Sequence, residues 1–228
     1  MAYARHRWYF HKEVTLNGAP NAPTGCATLS RDAPDQTDAN GAGGGHLSVS
    51  GGAAASQLNK PFAIDDTTVA GEAPSTSPPA AAHQFGWFSD VKLTGRYDVG
   101  PWVLVLREID DRASITSHWT IYLYACQTRD FSGMRFLMDL HGSVDNWTGT
   151  TTVQTQTLTG EGGIKLEGEY LFLQMWCHET AALVAGRSLT IRQEGSDLAD
   201  SARSNFLTTM FVDPVIDYSH LPPVGSFA

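Results

Sequence analysis

Residues 168–182 read GEYLFLQMWCHETAA and place Cys177, His178 and Glu179 side by side. His178-Glu179 begins like the metal-binding helix of a zinc protease. That motif needs a second histidine four positions after the first, so that both reach one ion from the same helix face. Ala182 stands there, and the motif fails. The preceding residues alternate as a strand does. Leu171, Leu173, Met175 and Cys177 share one face; Tyr170, Phe172, Gln174 and Trp176 share the other. Apolar residues on both faces are the mark of a strand covered on both sides. Cys177 and His178, as strand neighbours, point to opposite faces and form no thiolate–imidazole pair by adjacency. The stretch is therefore predicted to be a central strand over 168–178. Cys177 ends its buried run, and His178 and Glu179 mark where the chain leaves the sheet.

The same pattern extends outward. In HWTIYLYAC, Trp119, Ile121, Leu123 and Ala125 share a face. In SLTIRQ, Leu189 and Ile191 oppose Thr190 and Arg192, as in a half-exposed strand. Turn chemistry (DVGP, DDRAS, RDFSG, GSVDNWTG, TGEGG) separates runs rich in β-branched and aromatic residues. Strands are expected near 91–97, 101–109, 118–127, 134–141, 150–158, 168–178, 187–194 and 206–213. Only SDLADSARS could form a helical turn. The expected fold is all-β, an eight-stranded jelly-roll-like sandwich with a long, mostly irregular N-terminal arm. The Cys…Trp…Cys pattern of an immunoglobulin-like sandwich is not evident.

The chain has 228 residues and changes character near residue 85. NGAPNAPTG, DANGAGGGHLSVSGGAAAS and GEAPSTSPPAAAH are turn and linker chemistry with short apolar islands between them. Such a stretch buries too little apolar surface to offset its chain entropy alone. The expected division is an arm over 1–85, a sandwich over 86–214 and a tail over 215–228. RWYFHKEVTL, near the start, reads as one strand that pairs with the main domain or with another subunit.

Charged residues make up 17% of the chain, against about 25% in typical domains. Net charge is −9 with no basic run, which argues against direct grip on nucleic acid. The three cysteines have no CxxC spacing and are expected to be reduced and mostly buried. No apolar run approaches the ~20 residues that span a bilayer, and the N-terminus lacks a signal-peptide core. The protein is expected to be soluble and made in a cytoplasm.

From about Val91 to Pro214 the strand pattern resembles the jelly-roll domain of minor structural proteins of tailed bacteriophages. The matching pieces are VGPWVLVLRE, WTIYLYACQTRD, TTTVQTQTLTG, EGEYLFLQMWCH, GRSLTIRQEG and SNFLTTMFVDP. They cover a little over half of the chain and form a strand pattern, not a catalytic signature. The resemblance implies a non-enzymatic virion component assembled in the host cytoplasm, a capsid decoration, minor capsid or tail accessory protein. Its partners would be other virion proteins and copies of itself, with arms exchanged between subunits. Trp8, Tyr9, Phe10, Phe62, Trp147 and Phe227 are the expected interface anchors. No catalytic, cofactor or metal residue is assigned.

The alternative is a carbohydrate-binding sandwich for host-surface recognition, which needs exposed aromatics to stack on sugar rings. Trp147, in the turn-like SVDNWTG, suits that role; Trp102, Trp119 and Trp176 are expected in the core. Asp139 and His141, two apart on a strand, could bind calcium or act as acid and base, but more often form an exposed ion pair. Asp65-Asp66 and Asp110-Asp111 are the other carboxylate pairs. RDFSGM and TLTGEGG match neither a nucleophile elbow nor a phosphate loop.

Overall fold

The computed structural model describes residues 4–5, 8–11, 17–32, 46–50, 62–65, 86–98, 102–110, 113–141, 145–148, 152–158, 163–179, 188–192, 203–204 and 208–209. Side-chain surroundings are described within 8–11, 17–32, 86–96, 119–141 and 163–176. Among these residues all regular structure is strand. The strands are β1 (Ala4–Arg5), β2 (Trp8–Phe10), β3 (Cys26–Ser30), β4 (His46–Ser50), β5 (Phe62–Asp65), β6 (Gly86–Ser89), β7 (Leu93–Asp98) and β8 (Trp102–Asp110). They continue with β9 (Ala113–Cys126), β10 (Arg135–His141), β11 (Asp145–Thr148), β12 (Thr152–Leu158), β13 (Gly163–Glu179), β14 (Ser188–Arg192), β15 (Arg203–Ser204) and β16 (Thr208–Thr209). The described residues form an all-β arrangement, with sixteen strands among them where eight were expected in the chain. Most of the additional ones have two to five residues, too short to show a period.

The opening stretch lies in β13, which runs antiparallel to β9 from Tyr170↔Cys126 to Glu179↔Ser117. On its other edge it meets β6 at Phe172 and Leu173 and β5 from Met175 to His178. The alternation sorts its side chains as the period requires. Leu171, Leu173 and Met175 join Trp119, Ile121, Leu123 and Ala125 in one apolar cluster. Tyr170, Phe172 and Trp176 join Tyr122, Tyr124 and Cys126 in another. The strand does not stop at His178 but stays paired through Glu179.

β13 is longer than expected because a bulge lies inside it. Its first residues pair with β7, and the register shifts between Glu167 and Glu169. Gly168 takes a φ of +75° there, a left-handed conformation that costs glycine little. Arg135 clamps the bulge. Its Nε donates to Glu169 Oε1 at 3.0 Å, and its Nη2 donates to Glu169 Oε2 at 2.6 Å and to Lys165 O at 2.8 Å. The hydrogen bond from Arg135 holds the Glu169 carboxyl below the usual glutamate range. A carboxyl depressed in the folded state stabilises above its unfolded pKa, and that stability is lost as pH falls through the folded value. The Arg135 side chain is 46% exposed, so screening keeps the effect below about 1 kcal/mol. Glu169→Gln should therefore lower the urea midpoint slightly at neutral pH, and the difference should shrink as the pH falls below the usual glutamate range.

Two described segments before residue 85, β2 and β3, enter the same body. β2 pairs with β3 and with β15, and β3 runs parallel to β6, Cys26 opposite Gly86. Trp8, Phe10, Ala27 and Leu29 share the cluster that contains Leu171 and Leu173. Here the structure differs from the expected loose arm. CATLS carries no apolar alternation, yet all five residues are buried, their polar atoms met by the protein. Thr28 accepts from Arg129 at 2.8 Å, and the Ser30 hydroxyl donates to Asp90 at 2.7 Å.

Candidate functional site

Of the expected anchors, Trp8, Tyr9 and Phe10 have described side chains. Trp8, Tyr9 and Phe10 are enclosed by the chain's own strands, with exposures of 1%, 8% and 0%. Tyr9 and Phe10 pair with β3, Trp8 lies opposite Ser204 of β15, and the Phe10 ring meets Trp87 edge-on. Phe62 lies in β5 opposite Met175. Trp147 lies in β11, paired with β9, and not in a turn. The side chains of Phe62 and Trp147, and the whole of Phe227, fall outside the described residues, as do Asp66 and Asp111.

Asp139 and His141 do meet. His141 Nε2 lies 2.7 Å from Asp139 Oδ2, and His141 Nδ1 lies 3.2 Å from Thr120 Oγ1. The carboxylate orients the ring, and the Thr120 hydroxyl completes an acid–imidazole–hydroxyl chain. Thr120 is fully enclosed, so no substrate can reach its oxygen as a nucleophile. The arrangement is a cross-strand polar contact between β9 and β10. Among the described residues no group of three or more His, Cys, Asp and Glu could hold a metal.

A cleft of about 500 Å³ opens elsewhere, lined by Pro20, Asn21, Lys92, Gln127, Thr128, Arg129, Asp130 and Tyr170. The loop between β9 and β10 builds one wall. Gln127 N donates to Ser132 O at 2.9 Å and Met134 N to Phe131 O at 3.2 Å. Asp130 accepts from the Thr128 hydroxyl and from Ser132 N, which keeps its carboxyl below the usual range. Phe131 takes a φ of +68°, costly for a bulky residue. Its ring packs 5.1 Å from both Phe88 and Phe172, so the core holds the loop in that conformation.

Arg129 is the loop's second anchor, 2% exposed. Nη1 donates to Pro20 O, Nη2 donates to Thr28 Oγ1, and the guanidinium lies 5.8 Å over the Phe88 ring. Burial pulls its pKa down, while Tyr170, Asp90 and Cys26 act the other way. The opposite wall is the 17–25 loop. There Asn17 Nδ2 donates to Asp90 Oδ2 at 2.7 Å and to Asp32 Oδ2 at 2.9 Å. Lys92 closes the rim with its ammonium 5.5 Å over the Tyr170 ring.

No protein-family model matches this chain, and no curated protein matches it. Among solved structures it is similar to an alpha-amino acid ester hydrolase. The alignment covers 90% of this chain and 36% of that one, with a TM-score of 0.45 and 9% identity. The chain thus spans about a third of the length of that hydrolase. The neighbour is an enzyme, and on that finding the expectations of a non-enzymatic chain and of a bacteriophage virion structural protein are withdrawn. At this TM-score the likeness carries neither substrate nor mechanism to the present chain.

Among the described residues no sugar-stacking surface is found. Trp87, Trp119 and Trp176 are buried at 0%, 0% and 1%, and offer no open ring face. Sequence reasoning missed the cleft because RDFSG reads as a plain turn. The one available signal was a large apolar residue and an arginine among turn formers, Phe131 and Arg129. Nothing local points Arg129 at Pro20, which lies 109 positions away.

Cys26 and Cys126 border this region as buried cysteines outside any disulfide. Burial pushes each up to about 12, so neither is a thiolate near neutral pH. Alkylation of the native protein at pH 8, read by mass spectrometry, should leave both unlabelled, while the urea-unfolded chain labels at both. Native labelling at the unfolded rate would contradict their enclosure.

Proposed function

We propose that this chain is a ligand-recognising all-β domain whose binding site is the cleft between the 17–25 loop and the β9–β10 loop. What supports the reading is convergence: four separated segments bring polar side chains to one concave surface whose walls are fixed before any ligand arrives. Arg129 ties one wall to the other through Pro20, and Phe131 locks the loop to the core. A volume of this size suits a small molecule. A layered, jelly-roll-like wrapping belongs to the same proposal, supported by the apolar clusters on the two faces of β13.

The test is amide chemical-shift mapping of the full chain against a library of small polar molecules. Shifts should concentrate at residues 20–21, 92, 127–130 and 170. A library that moves none of these resonances, or moves others preferentially, overturns the reading.

A further inference from the structure

We infer that the ligand of this cleft carries an oxyanion, a carboxylate or phosphate group, held at the rim by Lys92 with the buried Arg129 behind the wall. The inference rests on the cleft being a binding site and adds the chemical class of what it binds. Its basis is an incompletely answered positive charge. A buried guanidinium is ordinarily paired with a carboxylate, because desolvating an uncompensated charge is costly. Arg129 is among the largest fully buried side chains. Among the described residues its two terminal nitrogens meet only neutral acceptors, a carbonyl and a hydroxyl, and its buried Nε has no hydrogen-bond partner.

The nearby carboxylates are turned to other donors. Asp130 is engaged by Thr128 and Ser132, and Asp90 accepts from Asn17 and Ser30. Lys92 adds a second cation at the rim, over Tyr170. A chain of net charge −9 thus brings two cations to one small concave surface, where Asp130 is the single acid among the lining residues. Asn21, Gln127 and Thr128 add neutral side chains able to donate hydrogen bonds. Lys92 supplies the direct charge-assisted contact, and Arg129 supplies the field from behind the wall, where low polarity strengthens it.

The full chain is titrated with sodium phosphate, sodium acetate and neutral acetamide, with ionic strength held constant by sodium chloride. The 15N-labelled protein reports through the amides of 127–130 and the Arg129 side-chain Nε–H. Saturable shifts with phosphate or acetate are expected, and the tighter of the two names the oxyanion. Lys92→Ala, at an exposed position, should weaken that binding about tenfold. Arg129→Met should abolish saturation, and where that variant fails to fold, Lys92→Ala alone decides. Responses that rise linearly with any salt, or that survive Lys92→Ala unchanged, overturn the inference. Saturation by acetamide and by neither anion overturns it while leaving the cleft as a binding site. No saturable response at these resonances overturns both.

Discussion

Gly86→Ala is expected to destabilise the protein by on the order of 3 kcal/mol or more, a large fraction of the stability of an ordinary domain. Gly86 begins β6, which is packed between β3 and β13. Its φ is +152°, and a Cβ there would stand 2.2 Å from Leu173 O and 2.8 Å from the Phe172 ring. The oxygen belongs to β13, whose backbone is fixed by β9, so it cannot swing aside. Gly95→Ala is the matched control. Its φ of +128° is also unusual, but nothing lies within 4 Å of its Cβ position. It should cost only backbone strain, about 1–2 kcal/mol. Urea unfolding of both variants makes the comparison. Equal losses would mean that β6 is not packed against β13 as described.

Trp87→Ala is expected to cost about 3–5 kcal/mol, the range for emptying a large buried aromatic site. The ring is fully enclosed, and Phe10 meets it edge-on at 4.8 Å and 72°. Its Nε1 donates to His11 O at 3.2 Å, so the indole both fills the core and holds down the N-terminal strand. Trp87→Phe separates these roles. It retains most of the volume and should lose about 1 kcal/mol for the carbonyl left without its donor. In Trp87→Ala the amides of residues 8–11 should lose hydrogen-exchange protection before those of β9 do. Simultaneous loss throughout would make Trp87 a global core residue with no particular hold on that strand.

These variants also mark where the sequence was readable. Residues 119–126 and 170–176 lie in long strands with period-two alternation, and the two apolar clusters divide along that alternation. β3 and β6 were not legible as core strands. They are four or five residues long and buried throughout, so no polar face interrupts them. Their buried polar atoms are satisfied from far along the chain, Thr28 by Arg129 and Ser30 by Asp90, and composition alone therefore read the region around β3 as linker. The bulge at Gly168 was hidden because a glycine beside a strand pattern reads equally as its start. The Asp139–His141 contact was legible from its spacing, but the enclosure of Thr120 was not. The cleft was the least legible feature, since each of its walls is a loop and the two meet only through long-range contacts at Arg129.

The site depends on one structural claim, that the 17–32 segment is built into the folded body and so forms a wall of the cleft. Native-state hydrogen exchange on the full chain tests it most directly. His11 N and Asp90 N each donate at 2.9 Å, to Thr28 O and Leu29 O. If the claim holds, these two amides and those of β3 exchange as slowly as the central amides of β9 and β13. Exchange of the β3 amides at the rate of an unstructured peptide, with β9 and β13 still protected, would contradict it and remove the cleft with it.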